Sequence, residues 1–303
     1  MLTSPTSNRN TCTRRNLLRF FQTAFLALLL TACSRIQLAY NNLDWLLPHY
    51  LASYMPLSDD QDNLLETRIS HFLHWHCSTQ VSDYAQLLRH ASNRFQSDDL
   101  ARSELVSFNK RVEQAWTGIL HQAGPAIADI LVTADKAQVQ ALFEAFDERN
   151  ADWLEEFEDT SDGQLRSDYQ ARMGKELYRW FGRLNRQQEQ ALINWSGQFQ
   201  PLGLEGLKYR QAWQARLREI MEQRNDHDRF YSGFAELLGN PESLRTQSYQ
   251  QRLEHNRKVT IDMLYTITRQ LSDNQKRHLQ RQVNTVAGDF DSLACSGSAV
   301  TSF

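Results

Sequence analysis

The sequence predicts an all-α fold, an elongated multi-helix bundle of about eight helices. Apolar residues recur at intervals of three and four through most of the chain, the spacing that gives a helix one apolar face. No segment shows the sustained alternation of apolar and polar residues that is typical of a half-buried strand. Glycine and proline number only 12 and 6 among 303 residues, which excludes collagen-like, low-complexity and turn-rich β-sandwich classes. The mean hydropathy of −0.59 excludes a polytopic membrane protein.

Five stripes of mainly apolar residues mark predicted helices in chain order. The pattern is interrupted by glycine, proline or small polar residues at positions 124–125, 161–163, 201–203 and 239–241, where we expect helices to end. The stripes comprise Leu105, Phe108, Val112, Trp116, Ile119 and Leu120; Val139, Leu142, Phe143, Phe146, Trp153, Leu154 and Phe157; Leu165, Tyr169, Met173, Leu177, Phe181 and Leu184; Trp213, Leu217, Ile220 and Met221; and Leu253, Thr260, Met263, Leu264, Ile267 and Leu271.

A short motif, Leu-(Ser/Asn)-x-x-Gln, predicts where several helices begin. It occurs at residues 57–61, 184–188 and 271–275, and a looser copy lies at 135–138. In such a capping box the Ser, Asn or Asp side chain accepts a hydrogen bond from the backbone N–H three residues on, and the Gln side chain accepts one from the cap N–H. We therefore expect a helix to start in each segment. The motif also resembles the Leu-Thr-x-x-Gln motif of small helical periplasmic stress chaperones.

The N-terminal segment predicts an export signal with a lipidation site. Residues 1–19 contain four arginines and no acidic residue, and residues 20–30 form an apolar run that is shorter than the roughly 20 residues needed to span a bilayer. The run ends in Leu-Thr-Ala-Cys33, which resembles the lipobox of bacterial lipoproteins. We expect cleavage of a signal peptide over residues 1–32 and acylation of Cys33 with palmitate or a similar chain. The alternative is a buried cysteine in an ordinary first helix.

Cleavage would leave a helical domain over residues 33–295 and a flexible tail over residues 296–303. Removing the four arginines takes the formal net charge from −3 to −7, which argues against nucleic acid as a partner. Ser34, in place of an aspartate, is typical of lipoproteins sorted to the outer membrane. We therefore predict that the membrane is a partner through the N-terminal lipid, on the periplasmic face of the outer membrane. Export by the general route or by the twin-arginine route, which residues 13–19 match in part, stays open.

The cysteines predict one disulfide. Cys12 leaves with the signal peptide and Cys33 carries the lipid, so Cys77 and Cys295 are left as a pair in an oxidising compartment. The alternative is two free, partly buried thiols.

A histidine cluster predicts a competing role for Cys77. On a helix, His71, His74 and Cys77 follow one another at about 60° around the axis, so that they could present two nitrogens and a sulfur to copper or zinc. A fourth ligand would come from another helix, from His255 or His278. Cys77 cannot be both a thiolate ligand and half of a disulfide. The alternative is an amphipathic helix whose histidines only flank a buried core contact of Phe72 and Trp75.

The sequence carries no enzyme signature. It contains no Gly-x-Ser-x-Gly elbow, no His-Glu-x-x-His and no phosphate-binding glycine loop. The acidic residues Glu155, Glu156, Glu158, Asp159 and Asp162 crowd a predicted helix end, which favours a solvated terminus over acid–base machinery. We predict no catalytic residue and no cofactor.

Four aromatic residues follow closely behind the predicted anchor: Tyr40, Trp45, Tyr50 and Tyr54. Amphipathic rings are favoured at the membrane interface, so these side chains could lie there. Alternatively, they pack the first helix on the bundle, with Pro48 setting a kink.

The lipobox is followed by residues 38–46, Gln61, Trp75-His76, Tyr84-Ala85, Arg149-Asn150 with Trp153, and residues 288–290. Together these segments resemble DUF6279, a family of uncharacterised proteobacterial lipoproteins. Cys77 and residues 80–82 depart from the family pattern, which often has Arg after Trp-His and Glu-Leu-Pro before Tyr-Ala. The resemblance implies a helical lipoprotein and brings no activity or catalytic residue with it.

Two functional hypotheses follow. The first is a non-enzymatic, outer-membrane-anchored helical module that binds or scaffolds envelope proteins, in the manner of a chaperone. The alternative is a metal-handling envelope protein that uses His71, His74 and Cys77.

Overall fold

The computed structural model describes residues 35–158 and 160–295, and every regular element in these ranges is helical. The predicted signal peptide, Cys33 and the predicted tail at residues 296–303 lie outside the described residues. Within the described ranges, none of the helices combines the length and the apolar content that a membrane span needs.

The described residues form twelve α-helices and one 3₁₀-helix, so the all-α prediction is confirmed and the expected number of about eight is wrong. The helices are α1 (Arg35–Tyr40), α2 (Leu43–Ala52), α3 (Asp59–Thr79), α4 (Val81–Phe95), α5 (Arg102–Val132), α6 (Lys136–Glu158), α7 (Asp162–Phe181), α8 (Arg186–Gln198), α9 (Gly203–Glu222), α10 (His227–Gly239), α11 (Gln247–Thr268) and α12 (Asp273–Leu293), with the 3₁₀-helix Pro241–Leu244 between α10 and α11.

The chain divides into two compact units, residues 1–43 and 44–303. The described part of the first unit contains α1 and the turn after it, where the Asn42 side-chain amide donates to the Leu38 carbonyl at 2.7 Å. All further description concerns the second unit.

Helix boundaries without glycine or proline explain part of the difference in number. Gln80 separates α3 from α4 although its own backbone is helical, with φ −107° and ψ −40°. The break between α4 and α5, residues 96–101, also lacks both residue types. Glycine and proline, the strongest sequence signals for the end of a helix, are therefore absent from these two boundaries.

The predicted boundary at residues 124–125 is wrong, because α5 continues through Pro125 to Val132. Pro125 has no N–H to donate within the helix, which costs α5 one backbone hydrogen bond. A Cβ atom on Gly124 would lie 2.8 Å from Leu238 Cδ1, so glycine allows α5 and α10 to approach closely here. The Gly-Pro pair serves helix packing instead of ending a helix.

The four capping boxes form as predicted, with Ser58, Asp135, Asn185 and Ser272 as the caps. Each cap side chain accepts from the N–H of its glutamine, and each glutamine oxygen accepts from the cap N–H. Both donors are backbone groups that a helix start would otherwise leave unpaired.

The capping glutamines also pair with each other across the fold. The Gln138 amide donates to Gln61 Oε1 at 2.6 Å, and Gln61 donates back to Gln138 Oε1 at 3.2 Å. Gln275 and Gln188 exchange the same two bonds at 2.8 and 3.2 Å. We call these two reciprocal contacts the glutamine pairs.

The two glutamine pairs have equivalent surroundings. Each glutamine amide also donates to the residue two positions before its partner's cap: Pro56, Thr133, Arg183 and Gln270. The same polar arrangement therefore joins α3 to α6 and α8 to α12.

Two apolar cores lie beside these pairs. The first core is built from α3, α5, α6, α9 and α10, and fully buries Met221 and Phe230. The second is built from α7, α8, α11 and α12, and fully buries Ile267. Aromatic Trp195 lies in the second core, where its indole N–H donates to Thr260 Oγ1 at 2.9 Å.

The predicted disulfide is present. Cys77, buried in the last turn of α3, is bonded to Cys295, which follows α12, with the two Cα atoms 5.1 Å apart. The Cys295 N–H also donates to the Cys77 carbonyl at 3.2 Å. The last described residue is thus fastened to the third helix, 218 positions earlier in the chain.

Candidate binding groove

The predicted metal ligands do not converge in the structure. Cys77 is in the disulfide, and no group of three metal-binding side chains comes together among the described residues. His255 and His278, the expected fourth ligands, hydrogen-bond to the carbonyls of Gln198 at 2.8 Å and Arg179 at 3.0 Å. A site that uses His71, His74 and a Cys77 thiolate stays a prediction for the reduced protein alone.

The acidic run lies at a helix end, as expected. Helix α6 ends at Glu158, Glu155 is exposed, and Asp162 lies in the first turn of α7. The side chains of Glu156 and Glu158 and all of Asp159 lie outside the described part of the chain.

A groove of about 1180 Å³ opens between α5, α9, α10 and the start of α11. We call it the aromatic groove, after Trp116 on α5 and Tyr209 and Trp213 on α9. The other lining residues are Val112, Glu113, Thr117, Leu120, Leu237, Leu238, Gly239, Pro241, Glu242, Arg245, Gln247, Gln250, Gln251 and Arg257.

Trp116 and Val112 give the aromatic groove an exposed apolar wall. Their side chains are 60% and 47% exposed, although the sequence pattern predicts both as core residues. Along the stripe on α5, Leu105 is buried and Phe108 packs against Phe95, whereas Val112 and Trp116 on the following turns are exposed. A sequence stripe reports which face of a helix is apolar and carries no information on whether a neighbour covers it.

The floor of the groove is continuous with the first core. Trp213 is partly buried against this core, and Leu237 is one of its members. The ring of Tyr209 stacks on Tyr249, with centroids 5.3 Å apart, and the Arg245 guanidinium lies 5.8 Å from the Tyr209 centroid. The aromatic floor is therefore held in place by the surrounding packing.

Paired charges form the rim. Arg257 donates to Glu113 at 2.7 Å, and Arg245 Nη1 donates to Gln250 Oε1 at 3.1 Å. Arg245 Nε is buried and has no hydrogen-bond partner. The lining contains two acidic and two basic side chains, so the groove has no net formal charge.

A second, smaller pocket of about 320 Å³ adjoins the aromatic groove and shares Leu120 and Leu238 with it. Its walls are almost wholly apolar and include Pro125, Ala128 and Phe234. The shared residues make the two cavities continuous along the seam between α5 and α10, with the most apolar part in the smaller pocket.

Tyr231 provides the polar edge of the smaller pocket. Its hydroxyl donates to Asp129 Oδ1 at 2.7 Å, and Arg68 forms an ion pair with the same carboxylate. Burial, together with the hydrogen bond to Asp129, raises the pKa of Tyr231 to about 12. The phenol is protonated at neutral pH and acts as a hydrogen-bond donor that fixes the pocket wall.

The aromatic groove has the composition of a binding surface. Exposed tryptophan and aliphatic side chains over an apolar floor, with paired charges at the rim, are the features of a protein-binding patch. In the sequence, the groove could have been noticed only from the aromatic residues in the stripes of α5 and α9. The same residues are equally typical of a buried core, so the sequence did not distinguish the two.

Most of this groove lies within a region that matches a known family. A model described as "Family of unknown function (DUF6279)" matches residues 53–250. No curated protein and no solved structure matches the chain.

Proposed function

Since the chain belongs to the DUF6279 family, whose function is unknown, we propose from its own residues that it is a lipid-anchored envelope protein that binds polypeptides without catalysis. The lipid would be carried by Cys33 at the periplasmic face of the outer membrane. The aromatic groove would take up exposed apolar segments of envelope proteins, as a chaperone-like or scaffolding module.

The exposed wall of the aromatic groove carries the proposal for binding. The Trp116 side chain is 60% exposed, so much of its apolar surface is in contact with water. Covering this surface with an apolar segment of a partner would be favourable, because it removes apolar area from water. Tryptophan is among the residues that contribute most to binding when a partner covers them. The adjoining apolar pocket offers space for a side chain of the bound segment.

The disulfide supports a location outside the cytoplasm. Stable disulfides are typical of exported proteins, because cytosolic thiols are kept reduced. The basic and apolar N-terminal segments, followed by the lipobox, point to the same compartment.

The capping motif supports a chaperone-like role. All four copies form capping boxes, and their glutamines pair two by two, so the motif that resembles that of periplasmic stress chaperones joins α3 to α6 and α8 to α12.

The anchor can be tested by acylation. Labelled palmitate is expected to enter the wild-type protein and the Cys12→Ala variant, and to be absent from Cys33→Ala. Wild-type protein should fractionate with the outer membrane. Incorporation of palmitate into Cys33→Ala would refute the lipobox prediction.

Binding can be tested by aggregation suppression with an unfolded client protein. Trp116→Ala should weaken suppression on the order of tenfold, because truncation of an interface aromatic commonly costs about 1–2 kcal/mol. Tyr178→Ala is the matched control, since Tyr178 is a similarly exposed aromatic outside the groove, on α7. Equal loss in both variants would contradict binding in the groove.

A metal titration of the reduced protein addresses the alternative function. Submicromolar binding of zinc or copper that disappears in His71→Ala/His74→Ala would favour metal handling over polypeptide binding.

A further inference from the structure

Helix α2 presents two different apolar faces. Leu47 and Leu51 pack against the first core, and so does Tyr54, which lies just beyond the end of the helix. Trp45 and Tyr50 lie on the outer side, where their side chains are 64% and 58% exposed. Packing on the bundle is therefore confirmed for Tyr54, whereas the interfacial interpretation stays a prediction for Trp45 and Tyr50.

Contacts with α6 hold the outer face of α2 in position. The Tyr50 and Tyr54 hydroxyls are hydrogen-bonded at 2.9 Å, and the Arg149 guanidinium lies 3.8 Å from the centroid of the Tyr54 ring. Arg149 Nη2 also donates to Ser53 Oγ at 3.1 Å. The exposed aromatic face is thus fixed to the folded unit, and it requires no rearrangement to meet a partner.

The charge pattern of this face favours a neutral apolar partner. Helix α2 contains no Lys or Arg; its acidic and basic residues are Asp44 and His49, and the His49 ring stacks on that of Trp45 with centroids 5.6 Å apart. Leu46, also exposed, adds an aliphatic side chain between the two aromatic rings. Tryptophan and tyrosine next to aliphatic residues are typical of the membrane–water interface, where the rings bury their apolar parts and keep their polar atoms near water.

The chain connection brings this face within reach of the predicted anchor. Twelve positions separate Cys33 from Trp45, and part of this connection is the helix α1. With about 1.5 Å per helical residue and at most about 3.5 Å per residue elsewhere, the two Cα atoms are no more than roughly 30 Å apart. An acylated Cys33 would therefore hold α2 within about this distance of a bilayer surface.

We propose that the outer face of α2, formed by Trp45, Leu46 and Tyr50, lies in the interfacial region of the phospholipid bilayer. This inference rests on the proposed lipid anchor at Cys33. The acyl chains supply the attachment, and α2 supplies a second, protein-mediated contact that sets which side of the helical unit faces the membrane. Because α2 carries no Lys or Arg, and the guanidinium of Arg149 is engaged by the Tyr54 ring and Ser53, the contact is to the neutral interface and depends little on salt.

Site-specific fluorescence tests the contact. In the mature protein, Cys33 is acylated and Cys77 and Cys295 are bonded, so one introduced cysteine can be labelled alone with an environment-sensitive dye. The acylated Leu46→Cys variant is reconstituted on phosphatidylcholine vesicles that contain a lipid-borne quencher. The acylated Tyr178→Cys variant is the control, since position 178 is exposed on α7.

Each outcome decides one question. We expect the dye at position 46 to shift to the blue and to be quenched about twofold or more over the dye at 178, at low and high salt alike. Equal quenching of both dyes on protein that floats with the vesicles overturns the inference and leaves the anchor intact. Failure of the wild-type protein to float contradicts the anchor itself. A blue shift that depends on protein concentration and occurs without vesicles identifies a second copy of the chain as the occupant, and also overturns the inference.

Discussion

At the scale of single residues, the buried glutamines connect local sequence to long-range structure. Gln188 is fully buried, and its amide contacts the carbonyls of Ile267 and Gln270 as well as Gln275 Oε1. A primary amide in a core is tolerated only when its donors and acceptor are paired. The capping role of Gln188 could be read from the motif, but its partner 87 positions away could not.

Gln188→Ala is expected to lower the free energy of unfolding by about 1–3 kcal/mol, because it leaves the Gln275 amide and the Asn185 N–H without their acceptor. Urea unfolding monitored by circular dichroism measures the change. Gln190→Ala, on the exposed side of the same helix, should change stability by no more than about 0.5 kcal/mol. Equal effects of the two substitutions would show that the pairing contributes nothing.

At the scale of elements, most helix starts are specified locally, whereas helix ends are specified in different ways. Helix α7 ends at Gly182, which has φ +73° and ψ −154°, a conformation that side chains strongly disfavour. Gln80, in contrast, ends α3 and begins α4 with an ordinary helical backbone. The presence of a glycine therefore predicts the end of α7 but gives no indication of the boundary between α3 and α4.

Gly182→Ala should cost about 1–3 kcal/mol of stability because of this backbone conformation. A steric clash is not the cause of this loss, because the added Cβ would lie 3.6 Å from Cγ of His278, an ordinary van der Waals contact. Gly197→Ala is the control: it lies inside α8, where nothing would contact the new Cβ within 4 Å, and it should be neutral or stabilise by up to about 1 kcal/mol. Thermal unfolding of the two variants side by side measures both effects, and a Gly182→Ala protein as stable as wild type would disprove the conformational argument.

At the scale of the whole molecule, the disulfide joins elements that are far apart in the chain. It closes a loop over 218 positions, and in the chain-entropy account such a loop restricts the unfolded state by up to about 5 kcal/mol. The Arg89–Asp291 ion pair also joins α4 to the end of α12, but it is exposed and contributes little by comparison.

Reduction, or the Cys77→Ser/Cys295→Ser double variant, should lower the free energy of unfolding by up to this amount and leave the helical circular dichroism spectrum unchanged. Urea unfolding with and without reductant measures the loss. The double variant should be insensitive to reductant, which controls for other effects of the reagent. Two free thiols in natively exported protein would contradict the bond.

The sequence by itself determined the helical class, the four helix starts and the cysteine pairing. These features depend on local hydrogen bonding at helix caps, on the period of the apolar residues and on a count of thiols, and all three can be read along the chain. The DUF6279 resemblance likewise rested on local motifs and is matched over residues 53–250.

Only the tertiary structure decided which apolar faces are covered. Trp116 and Trp213 have the same helical spacing in sequence, yet Trp116 is exposed on the wall of the aromatic groove and Trp213 packs against the first core. Trp45 and Tyr54 differ in the same way near the start of the second unit. Burial depends on which helix lies opposite, and that contact joins residues distant in sequence, so the position of a binding surface cannot be derived from the apolar pattern of one helix.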